Sequence, residues 1–192
     1  MFIRLADARK IFKQAYKGVG LRIGRDYDGG IYLTGRKWFM YIFMDNLPKE
    51  ILGEIVSLTG MIPKEGEQWL CEKGGNQSEV YMMLGREDVY RKALEAQKNG
   101  SRLTMSDMIL LDEHEFAYRI YSAAGKPYLV PLGCAAMCSA GNCENEEEMW
   151  GCFVAGDNWI YWLSNHMAFA ISPYEDEELN KRLKLISEAG II

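Results

Sequence analysis

Apolar positions near the N-terminus recur at spacings of three and four. Leu5, Ala8, Phe12, Ala15, Tyr16 and Val19 form the series, which predicts a helix over residues 4–17. Arg9, Lys10, Lys13 and Lys17 lie mostly off that stripe and give the helix a basic outer face. Gly18 and Gly20 end it, because glycine takes a left-handed cap without steric cost.

The period then shortens. Leu21 to Arg25 alternates, Tyr27-Asp28-Gly29-Gly30 reads as a turn, Ile31 to Thr34 as a strand, and Gly35-Arg36-Lys37 as a second turn. Trp38 to Met44 is bulky throughout, the pattern of a strand covered on both faces. A three-stranded antiparallel meander follows from these signals. A second helix is expected from near Asn46 to Gly60. Asp45 or Asn46 would cap it, Pro48 would sit in its first turn, and Ile51, Leu52, Ile55, Val56 and Leu58 would form its apolar face. Gln68–Cys71 and Val80–Leu84 read as a hairpin around Gly74-Gly75-Asn76, and Glu87–Gln97 as an amphipathic helix stopped by Asn99-Gly100.

The second half is again strand-rich, at Met108–Leu111, Phe116–Tyr121 and Tyr128–Leu132. A cysteine-bearing acidic segment spans 133–148. Met149–Val154, Trp159–Leu163 and Met167–Ile171 form another meander, and Asp176–Ala189 a last helix with Leu179, Leu183, Leu185 and Ile186 inward. Strand, turn, strand, helix thus occurs at 31–59 and again at 159–189, with Ile-Tyr on the first strand of each. The expected class is α+β: antiparallel meanders and hairpins with about four helices packed on one face, and a possible pseudo-repeat of that unit. The expected division is 1–100 and 101–192, as two subdomains or one continuous domain.

The chain has 192 residues, 48% hydrophobic and 26% charged, which excludes disorder and low complexity. Charge adds an asymmetry. Residues 1–100 carry 16 basic and 13 acidic groups, a net +3, whereas residues 101–192 carry 6 and 14, a net −8. The first 25 residues hold seven basic groups against Asp7 alone. Such polarity favours oriented association with a charged partner. The N-terminus lacks the basic and long apolar stretches of a signal peptide, and the longest apolar run, Trp38–Met44, is too short to cross a bilayer. A cytoplasmic location without membrane contact is expected, with the cysteines as thiols or metal ligands.

Cys134-x3-Cys138-x4-Cys143-x8-Cys152 is the densest chemical cluster. Four thiolates within 19 residues can surround a tetrahedral zinc, although the spacing departs from the usual Cys-x2-Cys knuckle. Inert thiols in a loop and core are the competing reading. Asp112-Glu113-His114-Glu115 offers a histidine beside carboxylates, but a solvated acidic turn explains it better, as turn polarity explains His166. The zinc-deaminase pattern fails at both halves, since Glu115 follows His114 directly and Cys138 lies one residue too far for Cys-x-x-Cys. Gly18-x-Gly20-x3-Gly24 follows a helix and precedes a strand, the reverse of a dinucleotide loop.

No catalytic residue is assigned. The expected function is a non-enzymatic protein–protein interaction module, an inhibitor or regulator of a nucleic-acid-handling protein. Glu144, Glu146, Glu147 and Glu148 would engage a basic partner surface, and Arg9, Lys13 and Lys17 would supply the opposite pole. By size and charge alone the chain is comparable to the anti-restriction and anti-CRISPR proteins of mobile elements; no motif of such a family occurs. Two alternatives stand beside it. One is a zinc-stabilised nucleic-acid-binding module, with Tyr27, Tyr32 and Trp38 stacking on bases beside the basic groups. The other is an enzyme built on Cys143, paired with His166, or on His114. No cofactor is expected apart from the possible structural zinc.

Overall fold

A computed structural model describes residues 1–75, 77–80, 87–139, 141, 143 and 148–190. Helix α1 (Leu5–Lys17) leads into β1 (Leu21–Arg25), β2 (Gly30–Thr34) and β3 (Trp38–Phe43). After a 3-10 turn at Met44–Asn46 comes α2 (Lys49–Thr59), then β4 (Gln68–Cys71) and β5 (Gln77–Glu79). A π-helical turn at Glu87–Arg91 continues into α3 (Lys92–Asn99), followed by β6 (Ser101–Arg102), β7 (Thr104–Leu111), β8 (Ala117–Ala123) and β9 (Lys126–Pro131). The chain closes with α4 (Leu132–Met137), β10 (Trp150–Val154), β11 (Ile160–Leu163), β12 (Met167–Ile171) and α5 (Glu177–Glu188). The class is α+β, with twelve antiparallel strands in two sheets among the described residues.

The large sheet runs β5-β4-β1-β2-β3-β12-β11-β10-β6, and the small one β7-β8-β9. Two meanders, β1–β3 and β10–β12, meet where β3 pairs with β12, with Trp38 opposite Ile171 and Met40 opposite Phe169. All residues of β2, β11 and β12 are buried. Such strands need cover on both faces. Ile31, Leu33, Trp38, Met40, Trp162 and Phe169 face the main core, into which α1, α2 and α4 pack. Tyr32, Tyr41, Tyr161 and Ala168 face the other way, toward Val89, Tyr90, Ala93 and Ala96 of the π-turn and α3. Helices therefore lie on both faces of the large sheet, not one. Each fully buried large apolar side chain adds about 1.5–3 kcal/mol.

Several boundaries shift for local reasons. Helix α2 begins at Lys49, with Pro48 just before its first turn rather than inside it, because Met44–Asn46 is used up in a 3-10 turn. Val80–Leu84 lies largely outside the described residues. On α5, Leu179 and Leu183 pack against the small sheet together with Ile186, whereas Leu185 is 66% exposed. Positions 179, 183 and 186 share one helical face, and 185 falls off it. No helix among the described residues is long and apolar enough to cross a membrane.

Candidate functional site

The basic face of α1 is largely tied down. Asp7, 5% exposed, accepts from Lys10 Nζ at 3.0 Å and from Arg4 Nε. Burial alone would raise its carboxyl, but the hydrogen bonds from Lys10 and Arg4 outweigh that and hold it below the usual range. Glu54 of α2 takes the next pair, Lys13 Nζ at 3.1 Å and Arg9 Nε at 3.7 Å. Arg25 pairs with Glu65 at 2.9 Å. Lys17 stays exposed, outside these pairs. Of the aromatic residues beside this face, Tyr32 and Trp38 are buried, so they pack the core and offer no face to a base; only Tyr27 is exposed.

The cysteines of the 134–152 cluster lie in or against the interior. Cys134, Cys138 and Cys152 are buried, and Cys143 is half-buried against the main core. Desolvation pushes the Cys134 and Cys152 thiols up to about 12. Burial pushes Cys138 well above its ordinary value, and the neighbouring Cys134 and Cys152 push it further. Among the described residues no three His, Cys, Asp or Glu side chains are placed to hold a metal. His166 sits exposed in the β11–β12 turn. His114, with its side chain 71% exposed, lies 3.4 Å from Glu113.

Of the acidic run, Glu144, Glu146 and Glu147 fall outside the described residues. Glu148 is exposed and accepts from Trp150 Nε1 at 3.2 Å. The fold assembles a different acidic site from two remote stretches. Asp112 and Glu113 of the β7–β8 turn face Asp176, Glu177 and Glu178 at the start of α5 across a cleft of about 280 Å³. Both walls are braced. Asp112 Oδ1 accepts from the backbone N–H of His114 and of Phe116, each at 2.9 Å, while Oδ2 takes the Tyr118 hydroxyl at 3.1 Å. Desolvation works against ionisation of Asp112, and these bonds override it, keeping the carboxyl below its ordinary value. Asp176 caps α5 through Leu179 N at 2.9 Å, worth about 1 kcal/mol. Glu177 and Glu178 occupy the first turn, where the helix dipole favours negative charge. Tyr174 stacks on Tyr118 at 4.4 Å to form the inner wall, and Arg182 donates to the Leu111 carbonyl at 2.7 Å, tying α5 to the end of β7.

Sequence reading starts the last helix at Asp176 and explains Asp112–Glu115 as a turn. It missed that the two converge. No local signal links them; the link is the apolar stripe Leu179-Leu183-Ile186, which seats α5 on the small sheet.

No protein-family model matches this chain, and no curated protein matches it. Two solved structures show distant likeness. A putative DNA polymerase III beta subunit from Eubacterium rectale is 14% identical over 91% of this chain, with a TM-score of 0.37. The beta subunit from DNA polymerase of Streptococcus pyogenes is 12% identical over 91%, with a TM-score of 0.34. This chain spans 64% of the length of each.

Proposed function

We propose that this protein is a cytoplasmic binding module that engages a basic surface on a partner protein through its acidic face, as an inhibitor or regulator of a nucleic-acid-handling protein. The observation that carries the reading is the convergence of Asp112, Glu113, Asp176, Glu177 and Glu178 around one cleft. A surface that holds phosphates presents lysine and arginine, and a fixed cluster of carboxylates complements it. A capped helix and a locked turn hold the backbone that carries these groups, which limits the order lost on docking. Clustered charge of one sign also steers encounter with an oppositely charged partner. The strongly negative 101–192 half adds to the same field.

Asp112 and Asp176 hold the backbone, so the test spares them. The full chain and the variant Glu113→Gln/Glu177→Gln/Glu178→Gln are each used to capture proteins from host lysate, with identification by mass spectrometry. Affinity for the captured protein is then measured against salt. The wild type is expected to retain a basic partner with affinity that falls steeply with salt, and the variant to bind about tenfold or more weaker with a flatter slope. Equal affinity and an equal slope for the variant would remove the acidic cleft from the binding surface.

A further inference from the structure

The cations of the first forty residues sort into two groups. Arg4, Lys10, Arg9, Lys13 and Arg25 are spent on internal carboxylates. Arg22, Arg36 and Lys37 form no ion pair with any described residue, and they surround one groove. Its deeper part, about 570 Å³, lies between the C-terminal half of α1 and the end of the large sheet. Trp38, Ile171 and Ala15 line its floor, and Arg36 and Lys37 stand beside it. The groove continues over the β2–β3 turn into a depression of about 390 Å³ that Arg22 lines. Val19 and Arg36 belong to both parts, and Val19 leaves half its surface in water at the centre. Among the described residues no carboxylate lines either part, in a chain of net charge −5.

We propose that this groove docks an acidic peptide segment carrying an apolar anchor side chain. The anchor fills the space over Trp38, and carboxylates on either side meet Arg36, Lys37 and Arg22. The receptor is set before docking. Thr34 Oγ1 donates to the carbonyls of Gly35 and Trp38 at 3.0 and 2.9 Å, and Ser172 N–H donates to the Lys37 carbonyl at 2.9 Å. Lys37 Nζ lies 5.4 Å from the Tyr174 ring, which orients the ammonium without neutralising it. The floor is apolar and Trp38 is 8% exposed, so the groove has no aromatic face for a base to stack on. An open channel running over the turn suits an extended chain better than an enclosed small ligand. Although Tyr174 also walls the acidic cleft, this site takes partners of the opposite sign.

The test is selection of random dodecapeptides from a display library on the full chain and on Arg36→Gln/Lys37→Gln. Enriched peptides are expected to place two or more acidic residues beside an aliphatic or aromatic one. A fluorescein-labelled winner should lose about tenfold in affinity on the double variant and also on Val19→Glu, which lies on the surface and leaves the urea midpoint intact. Glu113→Gln/Glu178→Gln should leave that affinity unchanged, which separates this site from the acidic cleft. Four results would overturn the proposal: no enrichment, enriched peptides without acidic bias, tighter binding of a labelled single-stranded oligonucleotide at the same residues, or a self-association that disappears with Val19→Glu.

Discussion

Glu54 decides whether the N-terminal basic cluster is a working surface or an internal brace. Its side chain is 11% exposed, while its partners Arg9 and Lys13 are 43% and 51% exposed. Glu54→Gln keeps the shape and removes the charge. Two cations then lose their counter-ion, yet both still reach water. Each pair is thus worth near the surface value, about 0.5–1 kcal/mol, for a total of about 1–2 kcal/mol. A chain of this size has a urea slope of about 2–3 kcal/mol/M, so the midpoint should fall by roughly 0.5 M. Arg9 Nε lies 3.7 Å from Glu54 and has no hydrogen-bond partner among the described residues, so charge rather than bond geometry holds that pair. The loss should therefore shrink in about 1 M salt, where the screening length is about 3 Å. Freed of Glu54, Arg9 and Lys13 join exposed Lys17, and low-salt binding of a single-stranded oligonucleotide should rise. Urea melts at two salt concentrations and fluorescence anisotropy read both effects. A midpoint that moves by less than about 0.1 M, or a loss that does not respond to salt, would refute the electrostatic account of the α1–α2 contact.

Two further outcomes concern pH. Folding lowers the affinity of Asp7 for protons, so its stabilisation is present above the ordinary carboxylate value of about 3.9 and is lost as pH falls below it. Asp7→Asn should cost about 1 kcal/mol at neutral pH and almost nothing in acid, so the two melting curves should converge there. The thiols behave oppositely. Cys71 is pushed up to about 11, and Cys134 and Cys152 to about 12, so folded protein holds protons that the unfolded chain releases above about 8.5. Stability should be full below that pH and fall as pH rises toward 12. At pH 8, Ellman's reagent should find no more than the half-buried Cys143 in folded protein and all five thiols in denaturant. Rapid reaction of several thiols in the folded state would contradict their burial.

Helical period was legible where one face of a helix was apolar and the other polar, as on α1 and, apart from Leu185, on α5. Strands β1–β3 and β10–β12 were legible as short bulky runs set between turn residues. The pairing of β3 with β12 did not follow, because strands apolar on both faces carry no alternation to fix a neighbour or a register. Helix α4 has six residues, too few for a helical period to be visible, and its Cys134 drew attention as a ligand before its burial could be known. The same pattern reads Glu87–Gln97 as one regular helix and does not separate the π-turn at Glu87–Arg91 from α3.

Charge shows most sharply where sequence stops informing. Arg9 and Lys13 stood out because seven cations crowd the first 25 residues, yet what neutralises them is a carboxylate on the next helix. Arg36 and Lys37 looked like ordinary turn residues, yet no acidic side chain among the described residues lines the groove beside them. Asp112–Glu113 and Asp176–Glu178 form one negative site only because Leu179, Leu183 and Ile186 hold α5 against the small sheet. A charged residue acts outward in proportion to what the fold leaves unpaired, and pairing depends on contacts between distant segments. The two surfaces that flank Tyr174 differ in this respect: Glu177 of the acidic cleft pairs with Lys181 at 3.0 Å, whereas Arg36 and Lys37 form no ion pair with any described residue.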